Sequence, residues 1–188
     1  MNKGKEYKGN RVVIIFITVV ILLLIWYSQV KRINQIFKET VYPIYLEQNV
    51  NYEDWDITPN EVLLMDYDGL LKRWNVDTDF LNNRSKYICL HLNVKALSAE
   101  SNFNTFFKYG FRTDTYANGL DPEVFFQVNN DNINKIRKVK SGELWIVGEI
   151  NVDNMSHHRF SNIDKSDFRY VLSTSLEPIE IYCKREGE

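Results

Sequence analysis

The chain has 188 residues, a formal net charge of −2, and 44% hydrophobic residues, with 14% of all residues aromatic. That length suits one domain of ordinary size with an appendage. From residue 40 onward 16 Lys and Arg face 23 Asp and Glu, a net of −7, which argues against the basic footprint of a nucleic-acid binder and fits scattered charges on a soluble acidic surface.

Residues 1–11 read as a short cytoplasmic tail carrying Lys3, Lys5, Lys8 and Arg11. Val12 to Tyr27, "VVIIFITVVILLLIWY", carries no charge. Extended to Val30 it gives about 19 residues, or roughly 28 Å of helix at about 1.5 Å per residue, enough for a hydrocarbon core of about 30 Å. A transmembrane helix is expected over 12–30, with Trp26 and Tyr27 at headgroup level. A cleaved signal would need small residues before a cut site, and "SQVKRINQ" offers no Ala-x-Ala pattern and no cysteine to lipidate. A buried core helix would be amphipathic or shorter. Lys31, Arg32 and Lys38 follow the span, so the flanking cations differ little. The tail is too short to hold a domain, and long following domains translocate largely regardless of charge. The expected location is therefore the cell membrane, single-pass, N-terminus cytoplasmic and the bulk extracytoplasmic.

Residues 31–50 form the expected juxtamembrane stalk, helical until Pro43 ends it. The folded domain is expected over 51–188. Val62 to Met65 reads as a first strand, and Asp66, Asp68 and Gly69 as a polar turn, since the further acids of a calcium loop do not follow. In "YICLHLNV", residues 87–94, Ile88, Leu90, Leu92 and Val94 share one face, while Tyr87, Cys89 and His91 point away from the core. "NTFFKYGFRTDT", residues 104–115, is aromatic and strand-like. "ELWIVGEINV", residues 143–152, is a strand in which Gly148 marks a candidate bulge. "FRYVLS" places Phe168, Tyr170 and Leu172 on one face, and "PIEIYCK" aligns Ile179, Ile181 and Cys183 on an inner face. Cys89 and Cys183 then point to different sides, which favours two unpaired thiols over one disulfide. Five or six strands between polar turns, without a helical period, predict an all-β sandwich.

"YANGLDPEVFFQVNN", residues 116–130, separates two of these strands. Asn118 and Gly119 read as a turn, Asp121 as an N-cap, and Pro122 as the first helical position. One or two helical turns are expected, ended by Asn129 or Asn130 as a left-handed cap, with Phe125 or Phe126 closing the end of the sandwich; a plain strand is the alternative.

No nucleophile elbow, phosphate loop or zinc-spaced cluster is present, so no catalytic residue, metal ligand or cofactor is expected. His157 and His158 read as loop residues and His91 as a surface histidine. The candidate partner-binding residues are Phe103, Phe106, Phe107, Tyr109 and Phe111, five aromatics within nine positions, although core filling is a competing role for them.

The order of "RINQIF", "ITPNEVLL", "YICLHLNV", "NGLDPEVFFQVNN", "KSGELWIVGEINV" and "LSTSLEPIEIYC" behind an N-terminal anchor resembles uncharacterised membrane-anchored or lipidated proteins of Gram-positive bacteria with an immunoglobulin-like domain of unknown function. The resemblance spans about residues 30 to 185, and its most specific part is the motif with Asn118, Gly119, Asp121, Pro122, Phe125 and Asn129. It implies an immunoglobulin-like sandwich outside the membrane and brings no catalytic residues. The expected function is a non-catalytic surface module that binds a protein or peptide. The alternatives are an accessory subunit of a transporter, sensor or bacteriocin-immunity system, and a cell-envelope hydrolase.

Overall fold

The computed structural model describes residues 16–31, 41–77, 79, 81–114, 116–174, 178–185 and 187. The chain divides into two compact units, Met1–Thr40 and Val41–Glu188. In the first, helix α1 covers residues 16–31. Among the described residues no helix is long and apolar enough to cross a membrane. Residues 12–15 of the expected span, the tail at 1–11 and the stalk at 32–40 lie outside the described residues.

The second unit is a β-sandwich flanked by helices. One sheet has five strands in the order β1-β9-β8-β5-β6, formed by Tyr42–Ile44, Ile179–Tyr182, Arg169–Ser173, Gly110–Arg112 and Ala117–Gly119. The other has four, β2-β3-β4-β7, formed by Val50–Tyr52, Trp55–Asp66, Lys86–Ala96 and Ser141–Ile150. Among the described residues only β1 and β9 run parallel; every other pair is antiparallel. The expected stalk thus already contributes to the domain, because Tyr42–Ile44 pairs with the final strand. The first long strand starts at Trp55 rather than Val62. It passes through Pro59 because the register shifts there, and a bulge tolerates a residue without an N–H.

Between the sheets lies the main core. Ile88, Leu90, Leu92 and Val94 of β4 face Tyr170, Leu172 and Ile181 of the opposite sheet, as the alternation of "YICLHLNV" requires. The far side of β4 is not solvent-facing as expected. Tyr87 and Cys89 join Leu70, Val124, Val128 and Val147 in a second apolar core. Two helices cover that side: α2, Tyr67–Arg73, and α3, Pro122–Val139. The expected turn at Asp66 to Gly69 is the start of α2, where the Asp66 carboxylate accepts the Gly69 N–H. A short helix α4 spans His157–Ser161, so His157 and His158 stand on a helix. The all-β expectation is therefore corrected to a β-sandwich with helical cover.

Helix α3 is the largest departure. The Asp121 carboxylate accepts from the N–H groups of Glu123 and Val124, and Pro122 opens the helix, as the sequence indicates. But the helix runs 18 residues, and its left-handed cap is Lys140 at φ 65°, not Asn129 or Asn130. Val124, Phe125, Val128, Ile133 and Ile136 recur at helical spacing on its buried side. Asn118 and Gly119 form strand β6 rather than a turn. Gly148 pairs regularly with Ile88 and marks no bulge; a side chain there would collide with the Phe111 ring, its Cβ only 2.4 Å away.

Both cysteines are free. Cys89 lies in the second core and Cys183 against the main one. Burial pushes the Cys89 thiol up to about 12 and also raises that of Cys183. Among the described residues, every member of both cores lies between Ile44 and Cys183, within the second unit.

Candidate binding cleft

The five aromatic residues singled out in sequence do not form one surface. The segment is a 3-10 turn, Phe103–Phe107, followed by the three-residue β5. Asn102 caps the turn by accepting the Asn104 N–H. Phe103 and Phe106 pack on the Trp55 ring at centroid distances of 5.2 and 5.1 Å. Phe111 packs on Tyr170 at 5.3 Å, and the Tyr170 hydroxyl donates to the Phe106 carbonyl. All three phenylalanines are buried and belong to the core. The core-filling role thus holds for Phe103, Phe106 and Phe111.

Phe107 and Tyr109 are only half-buried. Phe107 meets Phe125 and Phe126 edge-on at 5.6 and 5.8 Å. Phe125 is buried, whereas Phe126 is 40% exposed. Beside them opens a cleft of about 470 Å³ lined by Phe107, Tyr109, Ala117, Leu120, Val171 and Thr174. Its floor is the β5–β6 hairpin. That hairpin closes tightly because residue 110 is glycine: a Cβ there would sit 1.8 Å from the Asn118 carbonyl oxygen.

Two polar arrangements fix the walls. Lys108 and Thr105 both donate to the Glu53 carboxylate, and these hydrogen bonds hold it below the usual carboxylate range. Glu53 adopts φ 50° in the two-residue turn between β2 and β3, so the turn pins the aromatic segment from below. At the other end of the cleft, Arg112 pairs with Glu180, whose side chain is 1% exposed. Arg169 stands 3.9 Å from the same carboxylate and also binds Asp114. These charges escaped the sequence reading because "PIEIYCK" alternates as an outer-facing polar residue would.

Of the motif in 116–130, Asn118 and Asn129 both serve β7. Asn118 Nδ2 donates to the Glu149 carbonyl at 2.8 Å, and Tyr116 Oη donates to the same oxygen at 2.9 Å. Gly119 lines the cleft without crowding, and Asp121 and Pro122 start α3. His91 is partly buried rather than a surface group; it stacks on Trp145 at 4.6 Å and approaches Glu143 at 3.5 Å.

No family model and no curated protein matches the chain. Two solved structures show similarity to the chain. One is a conserved hypothetical protein from Bacillus anthracis, 11% identical, TM-score 0.41, the match covering 68% of this chain and 88% of that one. The other is an uncharacterised β-sandwich protein from Clostridium difficile 630, 8% identical, TM-score 0.44, covering 78% of this chain and 97% of that one.

Proposed function

We propose that the protein is a membrane-anchored, non-catalytic binding module whose extracytoplasmic immunoglobulin-like sandwich receives a protein or peptide in the cleft beside Phe107 and Tyr109. The observation that carries this reading is the division of the aromatic segment. Three of its rings fill the core, and the remaining two stand at the rim of a cleft next to a short sheet edge. Half-exposed aromatic side chains over a groove are the usual anchors of a partner surface.

The strand connectivity supports the immunoglobulin-like part. The order β9-β8-β5-β6 follows G-F-C-C′, and β3-β4-β7 follows A-B-E, with α3 beside β7 where strand D would lie. Anchoring is supported by the uncharged run from Val12 to Tyr27. Leu22, Leu23 and Leu24 point to different sides of α1 and are 59, 58 and 63% exposed, a helix apolar all round.

The test is comparative capture from the organism's own membranes with residues 41–188, unchanged and as Phe107→Ala/Tyr109→Ala. A partner retained by the unchanged domain and lost with the double variant supports the reading. Equal recovery by both, with the variant folded, overturns it. Replacing Val12 to Tyr27 with an unrelated membrane helix separates it from an accessory subunit, whose activity would then be lost.

A further inference from the structure

Strand β6 ends the five-stranded sheet, with no strand on its far side among the described residues. It pairs with β5 as Gly110–Gly119, Phe111–Asn118 and Arg112–Ala117. One step further round the hairpin, the Thr113 N–H donates to the Tyr116 carbonyl at 2.7 Å. Hydrogen-bonded and non-hydrogen-bonded pairs alternate along an antiparallel ladder. Phe111 and Asn118 therefore exchange the next backbone hydrogen bonds, and Ala117 and Gly119 turn their N–H and C=O groups to the open edge. Both residues are exposed, and a Cβ at 119 would meet nothing within 4 Å. The edge thus offers two donors and two acceptors at strand spacing, beside no side chain larger than a methyl.

Clefts lie on both faces of this edge. Asn118, Gly119 and Leu120 wall the aromatic cleft and also a second cleft of about 380 Å³. The Asn118 side chain faces β7, where it donates to the Glu149 carbonyl, so Ala117 and Gly119 face the aromatic side. The second cleft has apolar walls at Leu81, Pro122, Val124 and Val147, and its charges are the carboxylates of Glu149 and Asp121. No cation lines it among the described residues; Arg84, beside Ser85, pairs with Asp153 instead. The Ser85 hydroxyl donates to Glu149 Oε1 at 2.6 Å. The N–H groups of Glu123 and Val124 donate to Asp121 Oδ1 at 2.7 and 3.4 Å. Each carboxylate thus keeps a second oxygen for a ligand. In the aromatic cleft, by contrast, Lys108 and Arg112 are already neutralised by Glu53 and Glu180.

We propose that an extended segment of a partner polypeptide adds to β6 as a sixth strand, with an apolar side chain in the aromatic cleft and a lysine or arginine against Glu149 and Asp121. Backbone donors and acceptors repeating at strand spacing are matched by another extended backbone. Side chains of an added strand point alternately to the two faces of the sheet, and a cleft lies on each. The chemistry of the clefts then sets the pattern: rings and Val171 on one face, two carboxylates without a cation on the other. A second copy of this chain fits poorly. Its own β6 would bring the small side chains of Ala117 and Gly119, fill neither cleft, and set two acidic walls side by side. The proposal rests on the binding-module reading and deepens it by naming the conformation and charge of the ligand.

The test screens the full chain, in mild detergent, against random heptapeptides displayed on phage. The enriched peptide is then synthesised with a fluorescent label and its affinity read by anisotropy. Apolar residues alternating with lysine or arginine are expected. Ala117→Pro removes one outward N–H and leaves the β5 ladder intact, so affinity falls about fivefold or more. N-methylating alternate amides of the peptide, in one of its two registers, does the same, and this arm stands whether or not the proline variant folds. Glu149→Gln weakens binding about fivefold, whereas Glu143→Gln, six residues back along β7, leaves it unchanged. No enrichment, enriched peptides without the alternation, or affinity indifferent to the backbone changes overturns the proposal. Dimerisation of the unliganded chain that Ala117→Pro abolishes also overturns it and assigns the edge to a second copy. Phe107→Ala/Tyr109→Ala separates the two readings. Binding lost with that pair but indifferent to the backbone changes keeps the aromatic cleft and removes the added strand. Binding indifferent to that pair but dependent on the backbone and Glu149 keeps the strand and removes the aromatic anchors.

Discussion

The Asn129 side chain replaces a missing strand beside Trp145. Its Oδ1 accepts the Trp145 N–H at 2.7 Å, and its Nδ2 donates to the Trp145 carbonyl at 2.8 Å and to the Phe125 carbonyl at 2.8 Å. Strand β7 is an edge strand, and an uncovered edge presents unpaired backbone groups. Here α3 covers it, and a fully buried carboxamide makes both hydrogen bonds a neighbouring strand would make. The other edges, β1, β2 and β6, are only three residues each.

Asn129→Leu keeps the volume and leaves the Trp145 backbone unpaired in the interior. The expected loss of stability is about 3 kcal/mol, from stranded buried polar groups. Urea denaturation of the released domain measures it. A loss below about 0.5 kcal/mol would show that the bridge contributes nothing net.

Gly110→Ala and Gly119→Ala form a paired test on one hairpin. At 110 the new methyl meets the Asn118 carbonyl at 1.8 Å, whereas at 119 it meets nothing within 4 Å. The first is expected to cost about 2 kcal/mol or more and to disturb the cleft. The second stays within about 0.5 kcal/mol. Thermal melting of the two variants distinguishes them, and equal melting temperatures would contradict the hairpin geometry.

Glu53 makes stability depend on acid. Its carboxyl is held low by hydrogen bonds from Lys108 and Thr105. A group whose folded pKa is depressed contributes above its unfolded pKa, and that contribution is lost as pH falls through the folded value. Glu53→Gln is therefore less stable than the unchanged domain at neutral pH. The gap closes below the ordinary carboxylate value of 4.5. A gap constant from neutral to strongly acidic pH would remove Glu53 from the account.

The Cys89 thiol should be silent in the folded protein. Cys89 is fully buried, and burial raises both thiols. Ellman's reagent is expected to react with Cys89 only at the rate of unfolding, and with two thiols per chain once denaturant is added. Rapid labelling of Cys89 under native conditions would contradict its place beneath α2 and α3.

Much of the sandwich was legible because its inner faces alternate cleanly, as in Ile88, Leu90, Leu92 and Val94, or in Phe168, Tyr170 and Leu172. The start of α3 was legible too, since Asp121 and Pro122 carry capping chemistry that acts locally. Its length was not. Val124, Phe125, Phe126 and Val128 favour strands intrinsically, and asparagines at 129 and 130 look like a stop. Tertiary contact reverses both signals, because the edge of β7 needs exactly such a carboxamide. The outer face of β4 is hard to read for a related reason: Cys89 sits among polar residues on that face in sequence, yet helices distant along the chain cover it, while His91 stacks on Trp145 of the neighbouring strand. In the aromatic segment, spacing could not say which rings turn inward, since a 3-10 turn has neither the period of a strand nor that of an α-helix.

The buried Glu180 has a consequence for how the five-stranded sheet finds its alignment. Its charge partners come from two other strands, Arg112 on β5 and Arg169 on β8. Side chains alternate across a sheet, so sliding any of these strands by one residue would turn a carboxylate or a guanidinium into the apolar interior. Three strands are thus locked to one another by a misalignment penalty. The triad acts as a check on correct assembly, whatever it adds to the depth of the native energy well.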